Sequence, residues 1–472
     1  ILLVGPKPAL YKGDGKGRFT EVTSGALGDL SGHFLGVAVG DIDNDGFDDL
    51  YLSGYREARL LRNDGGKRFV DITKASGLKP QPWGTACGFA DLDGDGLLDL
   101  YVTNYADFTP TTNPQLCKFK TVKHGDVLSS CGPTWYKGLP GVVSHNLGGG
   151  RFADVTKAWG FTNQTGRGLG IAFADLDGSG QPAIAVANDE APGDLFVRDG
   201  KALRFKNVAS MVGVSHDRDG KAHAGMGIDW GDTNNNGRFD LFVTTFRNEV
   251  KSLYRNDGSD TFTEIGYAAG IGQPALARVA FGCKLFDADN DGWLDLMIAN
   301  GHVQDNIELL EDTTYRQKTQ FFHNTKGTFT DASVASGIDA LPAIVGRGLA
   351  VGDYDNDGKL DVLVVDSEGA PLLLHNETRP QGWIGFVCRD KRGRTALGAV
   401  VTAEQSGQKR MQQCQTAGSY LSSNDPRVHL GLGTDPSTVA QVTIRWPGGK
   451  TDVWKDVPTG RYLLVSPGAT PR

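Results

Sequence analysis

Six segments of this chain repeat one acidic loop, and each is followed at once by an apolar stretch with strand character. The loops begin at Asp41, Asp91, Asp175, Asp232, Asp287 and Asp353, as in DIDNDGFDDL and DADNDGWLDL. Oxygen-bearing side chains recur at positions one, three and five. Glycine always stands at position six, and Asp occupies position nine in five of the six copies. A loop of this length tied to short alternating segments fits neither a helical bundle nor one large sheet. It requires many small strands arranged on a structural period.

Each repeat follows the same order. A glycine-rich apolar strand such as Leu35–Gly40 enters the loop, and a second strand such as Asp49–Leu52 leaves it. A third strand ends in a turn (Leu60–Gly65, Leu253–Gly258, Phe321–Asn324), and a fourth carries Phe and Thr (Arg68–Thr73, Thr328–Asp331). Four antiparallel strands per unit and loop starts 50, 84, 57, 55 and 66 residues apart are the dimensions of propeller blades. The N-terminal stretch, with Leu2–Val4, Ala9–Asp14 and Arg18–Val22, reads as a further blade without its acidic loop. The expected fold is all-β: a seven-bladed β-propeller over residues 1–380, with one strand supplied from elsewhere in the chain to close the ring. A second, smaller β-sandwich-like module is expected over 381–472. The 84-residue spacing contains an insertion, about 104–143, expected to be a cap or a binding loop.

Calcium takes six to eight hard oxygens at about 2.3–2.6 Å and tolerates irregular angles. In the first loop Asp41, Asp43 and Asp45 offer alternate carboxylates, Phe47 a backbone carbonyl and Asp49 the closing carboxylate. The same positions are Asp91, Asp93, Asp95, Leu97 and Asp99 in the second loop. They are Asp287, Asp289, Asp291, Trp293 and Asp295 in the fifth, and Asp353, Asp355, Asp357, Lys359 and Asp361 in the sixth. The fourth, with Asp232, Asn234, Asn236, Arg238 and Asp240, has less charge and is expected to bind more weakly. The third keeps Asp175, Asp177, Ser179 and Gln181 but has Ala183 at the closing position, and is expected to be the weakest or empty. The expectation is four to six Ca2+ ions in a structural role, removing the repulsion among adjacent carboxylates and ordering each loop. The first half of the pattern resembles an EF-hand loop. The last ligand, however, comes at position nine, and strands flank the loop in place of helices.

The formal charge of −8 therefore reads as metal ligand, since six divalent ions would reverse its sign. No basic stripe indicates nucleic acid, and no apolar run is long enough to span a membrane. Among six cysteines, Cys117 with Cys131 and Cys388 with Cys414 are expected to form disulfides, whereas Cys87 and Cys283 are expected to be buried thiols. Disulfides together with calcium loops point to a secreted, extracellular or periplasmic location.

Loop, strand and turn together resemble the FG-GAP/VCBS repeats of integrin-like propellers. Gly225–Asp232, Ala299–Val303 and Gly346–Asp353 resemble the CRTAC family, related to cartilage acidic protein. The tail is similar to the ASPIC/UnbV module of that family, in Leu397–Val400, Ala417–Leu432 and Ile444–Lys450. The resemblance implies a secreted calcium-binding propeller that mediates adhesion or binds protein or glycan at the cell surface, or serves as a subunit of a larger surface assembly. The alternative it leaves open is an enzyme or accessory protein of a natural-product pathway, with a pocket at the propeller channel or under the insertion.

No catalytic residues are assigned. His145, His323 and His375 occupy the slot held by Arg62 and Arg255 in other repeats and read as turn residues, not as a metal site. Phe119, Trp135 and Tyr136 in the insertion read equally as partner anchors or as packing against the ring.

Overall fold

The computed structural model describes residues 1–111, 116–200, 202–433 and 436–472. Strands account for 42% of the chain and helix for 5%, so the fold is all-β. The first five loop-bearing repeats each form a four-stranded antiparallel sheet. In the first, Phe34–Gly40, Asp49–Gly54, Ala58–Asn63 and Phe69–Asp71 pair in chain order, and the acidic loop joins the first strand to the second. The sixth has three strands, Gly346–Gly352, Asp361–Asp366 and Leu372–Leu374.

The first strands of successive repeats pack against one another, from Phe34–Gly40 through Gly84–Ala90, Gly168–Ala174, Ile228–Gly231 and Ala280–Phe286 to Gly346–Gly352. Their glycine content has a steric cause. A Cβ at Gly170 would lie 2.5 Å from Met226 O, and one at Gly282 would lie 2.5 Å from Arg347 O. Only glycine allows the inner strands to approach this closely. Buried hydroxyls bond across the same seams: Thr85 Oγ1 donates to Gly168 O at 2.5 Å and Thr244 Oγ1 to Phe281 O at 2.7 Å.

The N-terminal sheet (Leu2–Leu3, Ala9–Gly13, Phe19–Glu21) has three strands. Leu2 and Val4 pack on the apolar face formed by Phe34, Val37 and Leu52, while Phe19 meets Tyr354 edge-on at 5.5 Å. This sheet thus lies between the first and sixth repeats. The expectation of a closing strand from elsewhere in the chain is not met among the described residues. A cavity of about 800 Å3 lies there instead, bounded by Leu2, Val37 and Leu349.

After the sixth repeat, Val428–Gly431, Trp383–Cys388 and Tyr462–Val465 form one sheet. Gln408–Gln413, Val400–Gln405, Thr438–Arg445 and Thr451–Pro458 form another. Their apolar faces meet through Ile384, Phe386, Val401, Val442 and Ile444, and this core continues into Tyr51, Phe89 and Leu100 of the first two repeats. The intervening segment threads the axis of the ring. Thr416 Oγ1 donates to Val39 O at 3.1 Å, and Ser419 exchanges backbone hydrogen bonds with Ile228. Cys283 N donates to Ser419 Oγ at 3.2 Å and Val351 N to Asn424 Oδ1 at 3.1 Å. Four inner strands therefore bond to one segment. The chain's own segment thus runs along the propeller channel, and the cavity of about 800 Å3 lies beside it, lined also by Tyr420 and Ser422.

The insertion runs from Asn104 to Val142, at the strand ends opposite the acidic loops. Its hairpin, Cys117–Thr121 with Gly125–Ser129, is closed by the Cys117–Cys131 disulfide and reaches the fifth repeat. There Ser129 Oγ donates to Asn306 Oδ1 at 2.7 Å and Asn306 Nδ2 to Leu128 O at 2.8 Å. Tyr136 packs on Phe108, which in turn meets Trp83 of the second repeat at 5.6 Å, whereas Trp135 is 66% exposed.

The other expected disulfide is absent. Cys388 and Cys414 are brought together as free, buried thiols. The Cys388 contact and burial hold the Cys414 thiol well above its ordinary pKa. A thiol kept protonated away from solvent is a poor partner for oxidation or exchange. Cys87 and Cys283 are free and buried, as expected.

Candidate metal centres

Each acidic loop is held open at its centre by its own hydrogen bonds. In the first, Asp41 accepts the amides of Asp45 and Gly46 at 3.1 and 2.9 Å, and Asp45 Oδ1 accepts that of Phe47 at 2.9 Å. Gly46 carries φ 93°, the left-handed turn that bends the loop back toward its first residue. The same pattern recurs with Asp91 and Gly96, Asp232 and Gly237, Asp287 and Gly292, and Asp353 and Gly358. The residues at position seven, Leu97, Arg238, Trp293 and Lys359, likewise donate their amides to Asp95, Asn236, Asp291 and Asp357.

The Asp at position nine has a second task that spacing alone did not reveal. Asp49 Oδ2 accepts Ile42 N at 2.9 Å, while Oδ1 accepts Asn63 N at 2.7 Å, from the third strand. Asp99, Asp240, Asp295 and Asp361 repeat this with Asn146, Asn256, Asn324 and Asn376. Several of these Asn residues also bond to the preceding repeat. Asn146 Nδ2 donates to Ile42 O at 2.8 Å, Asn324 Nδ2 to Thr233 O at 2.8 Å and Asn376 Nδ2 to Ala288 O at 2.7 Å. Asn146, Asn324 and Asn376 are thus staples between loops.

The carboxylates converge. Donor oxygens of Asp41, Asp43 and Asp45 lie within 4.8 Å of one another, as do those of Asp91, Asp93 and Asp95. Three further groups each include a histidine: Asp93, Asp99 and His145; Asp289, Asp291 and His323; Asp355, Asp357 and His375. His145 Nδ1 is 2.9 Å from Asp99 Oδ1, and His375 Nδ1 is 3.2 Å from Asp361 Oδ1. The turn histidines therefore border the acidic loops. Only the pairing of third strand with loop exit shows this, because 46 residues of sequence separate His145 from Asp99.

Burial makes these charges costly. It pushes the carboxyls of Asp49 and Asp99 up to about 7, and those of Asp91, Asp232 and Asp361 up to about 6. Asp287 and Asp295 are carried well above the ordinary carboxylate range, chiefly by burial and then by neighbouring carboxylates. Asp43 Oδ1 and Asp355 Oδ1, at the third position of their loops, are buried without any hydrogen-bond partner. Converging hard oxygens, buried charge and orphaned carboxylate atoms at the loop centre fit a divalent cation.

The third loop differs. Asp177 Oδ1 accepts Ser179 N at 3.0 Å and Ser179 Oγ accepts Gln181 N at 3.2 Å, but Ala183 supplies no closing carboxylate. Asp175 Oδ2 is instead 2.6 Å from Arg445 Nε.

The FG-GAP-like repeat family matches residues 2–52, 41–102, 232–298 and 287–364, which takes in every acidic loop but the third. The ASPIC and UnbV family matches residues 389–472. This chain is an FG-GAP-repeat protein with an ASPIC/UnbV tail. Its homologues include cartilage acidic protein 1 of Mus musculus, 28% identical over 346 residues, 60% of this chain and 52% of that protein. The Homo sapiens protein of the same name is 26% identical over 361 residues, 63% of this chain and 53% of that protein. The FG-GAP/ASPIC chain thus spans about half the length of the curated relatives it matches. Among solved structures, an Agrocybe aegerita lectin recognising non-reducing terminal N-acetylglucosamine aligns with TM-score 0.43 at 15% identity, covering 79% of this chain and 89% of the lectin. The Aleuria aurantia lectin aligns with TM-score 0.36 at 12% identity, over 72% of this chain and 92% of that one.

Proposed function

We propose that this FG-GAP-repeat chain is a calcium-stabilised extracellular scaffold whose exposed insertion binds a protein or glycan partner at the cell surface. The observation that carries the calcium reading is the set of converging, buried carboxylates with orphaned oxygens in the acidic loops. Asp41, Asp43, Asp45 and Asp49, with the Phe47 carbonyl, would hold one ion, and the equivalent residues of the second, fourth, fifth and sixth loops one each. The ion would supply charge neutralisation and order. The protein's own part is to fix the loops, through the position-nine Asp and the turn Asn, against their neighbouring sheets. In this reading the repeats form a seven-bladed ring over about 1–380, followed by a separate β-sandwich-like domain over about 381–472.

The binding reading rests on the insertion. Its hairpin is stapled by Cys117–Cys131 and bonded to the fifth repeat, yet it exposes Val122 and Leu128, and the turn that follows exposes Trp135. An element fixed to the ring that presents an exposed aromatic and exposed aliphatic side chains offers anchors for an interface. The disulfide agrees with an oxidising compartment. Immobilised glycans and extracellular-matrix proteins, probed with the full chain in calcium and in EGTA, test the proposal. Retention that requires calcium and is lost in Trp135→Ala is expected. Equal, background-level retention of both proteins in both buffers would refute it.

A further inference from the structure

We infer that the third acidic loop is not an ion site but a socket for the ASPIC/UnbV tail, with the guanidinium of Arg445 in the place of the cation. The inference deepens the calcium reading of the other five loops and rests on it.

In those five loops the first Asp turns inward and accepts amides of its own loop. Asp287, for example, accepts from Asp291 at 3.1 Å and Gly292 at 2.8 Å. Asp175 turns outward. Its Oδ2 accepts Arg445 Nε at 2.6 Å, and its Oδ1 is buried with no hydrogen-bond partner. The loop backbone is seated against the tail as well. Asp175 N donates to Gln413 Oε1 at 3.0 Å, and Gly448 N donates to Gly180 O at 3.2 Å. A Cβ at Gly180 would fall 2.2 Å from Gly449 N, so the loop and the Trp446–Gly449 turn fit only as glycine against glycine.

Other tail arginines meet the loops differently. Arg394 donates to Gly96 O at 2.7 Å and Arg427 to Asp353 O at 2.5 Å. Both use carbonyls outside the proposed ligand set and leave the carboxylates to an ion. Among the described residues only Arg445 hydrogen-bonds a position-one carboxylate, and it does so in the loop that lacks a closing Asp. With one Asp175 oxygen held by a fixed positive charge and no closing carboxylate, Asp175 Oδ1, Asp177 and Ser179 are a poor beginning for a six-oxygen shell. A guanidinium stays charged at any physiological pH and does not dissociate with falling calcium. The contact is therefore a calcium-independent latch, holding the tail on the ring when the other loops are empty.

The test uses the full chain, calcium counted by equilibrium dialysis, and backbone hydrogen exchange in EGTA over residues 176–181 and 446–449. Asp175→Asn is expected to leave the calcium count unchanged, whereas Asp287→Asn lowers it by one. A loss of one ion in Asp175→Asn would overturn the inference. In EGTA, Asp175→Asn and Arg445→Gln are each expected to speed exchange at both segments by about tenfold, as loss of one partner of a desolvated pair does, and the double variant by no more than either. Unchanged exchange, or additive effects, would also overturn it. Should the unaltered chain bind no calcium at all, the reading of the other loops falls, while the exchange measurement still decides the latch.

Discussion

Asn324 Nδ2 donates to Thr233 O at 2.8 Å, joining the turn of the fifth loop-bearing sheet to the acidic loop of the fourth. The same amide donates to Leu294 O at 2.8 Å, and Asn324 Oδ1 accepts Gly327 N at 2.8 Å. One fully buried side chain thus satisfies three backbone groups from two repeats. Asn324→Ala leaves those groups unpaired and is expected to destabilise the chain by about 3 kcal/mol. Asn324→Asp keeps the acceptor but loses both donations and adds a buried charge, so it should be at least as damaging. Urea denaturation followed by tryptophan fluorescence measures both.

Trp135 makes the opposite case. It is exposed on the disulfide-closed insertion, so Trp135→Ala should change stability by less than about 0.5 kcal/mol. The same variant should lose binding to any partner found by array. A change in the melting temperature comparable to that of Asn324→Ala would mean that Trp135 packs in the fold and is not an anchor.

Four thiols are free and buried, including the adjacent Cys388 and Cys414. The native chain is expected to be inert to Ellman's reagent, and the same chain in guanidinium without reductant should release four equivalents of thiolate. Two equivalents would mean that Cys388 and Cys414 are disulfide-bonded in solution.

Asp189 supplies a pH dependence apart from the acidic loops. Burial pushes its carboxyl up to about 7, and Tyr105 Oη donates to it at 2.6 Å. Between the ordinary carboxylate value and pH 7 the folded chain holds a proton that the unfolded chain has released. Its contribution is therefore fully present below about pH 4 and declines as pH rises towards 7. In saturating calcium, which keeps the loops from titrating, stability should fall over that window, and Asp189→Asn should flatten the slope. A slope unchanged in the variant would assign the effect to another group.

Much of this architecture was legible because the repeat carries its chemistry in local spacing. Asp41, Asp43, Asp45 and Gly46 form their loop from residues at most five apart, so sequence alone placed them together. The same locality underlies the expectation of a weak third loop, since Ala183 stands where the other copies have Asp. What could not be read depended on long-range pairing. His145 reaches Asp99 only through the third strand, and Arg445 reaches Asp175 only when the tail folds back across 270 residues. The path of the chain along the channel at Ser419 and Asn424 has the same origin. The Cys388–Cys414 expectation found the correct neighbours and the wrong bond, because their proximity comes from two sheets packing face to face whereas oxidation depends on access to solvent.

In the proposed function, divalent ions neutralise the buried carboxylates of the acidic loops and so hold the ring together. The most direct test is calorimetric titration of the chelator-stripped full chain with CaCl2, with thermal melts of the stripped and titrated samples. Saturable binding of several ions per chain and a clearly higher melting temperature in calcium are predicted. No binding heat, together with identical melts in calcium and in EGTA, would contradict the account.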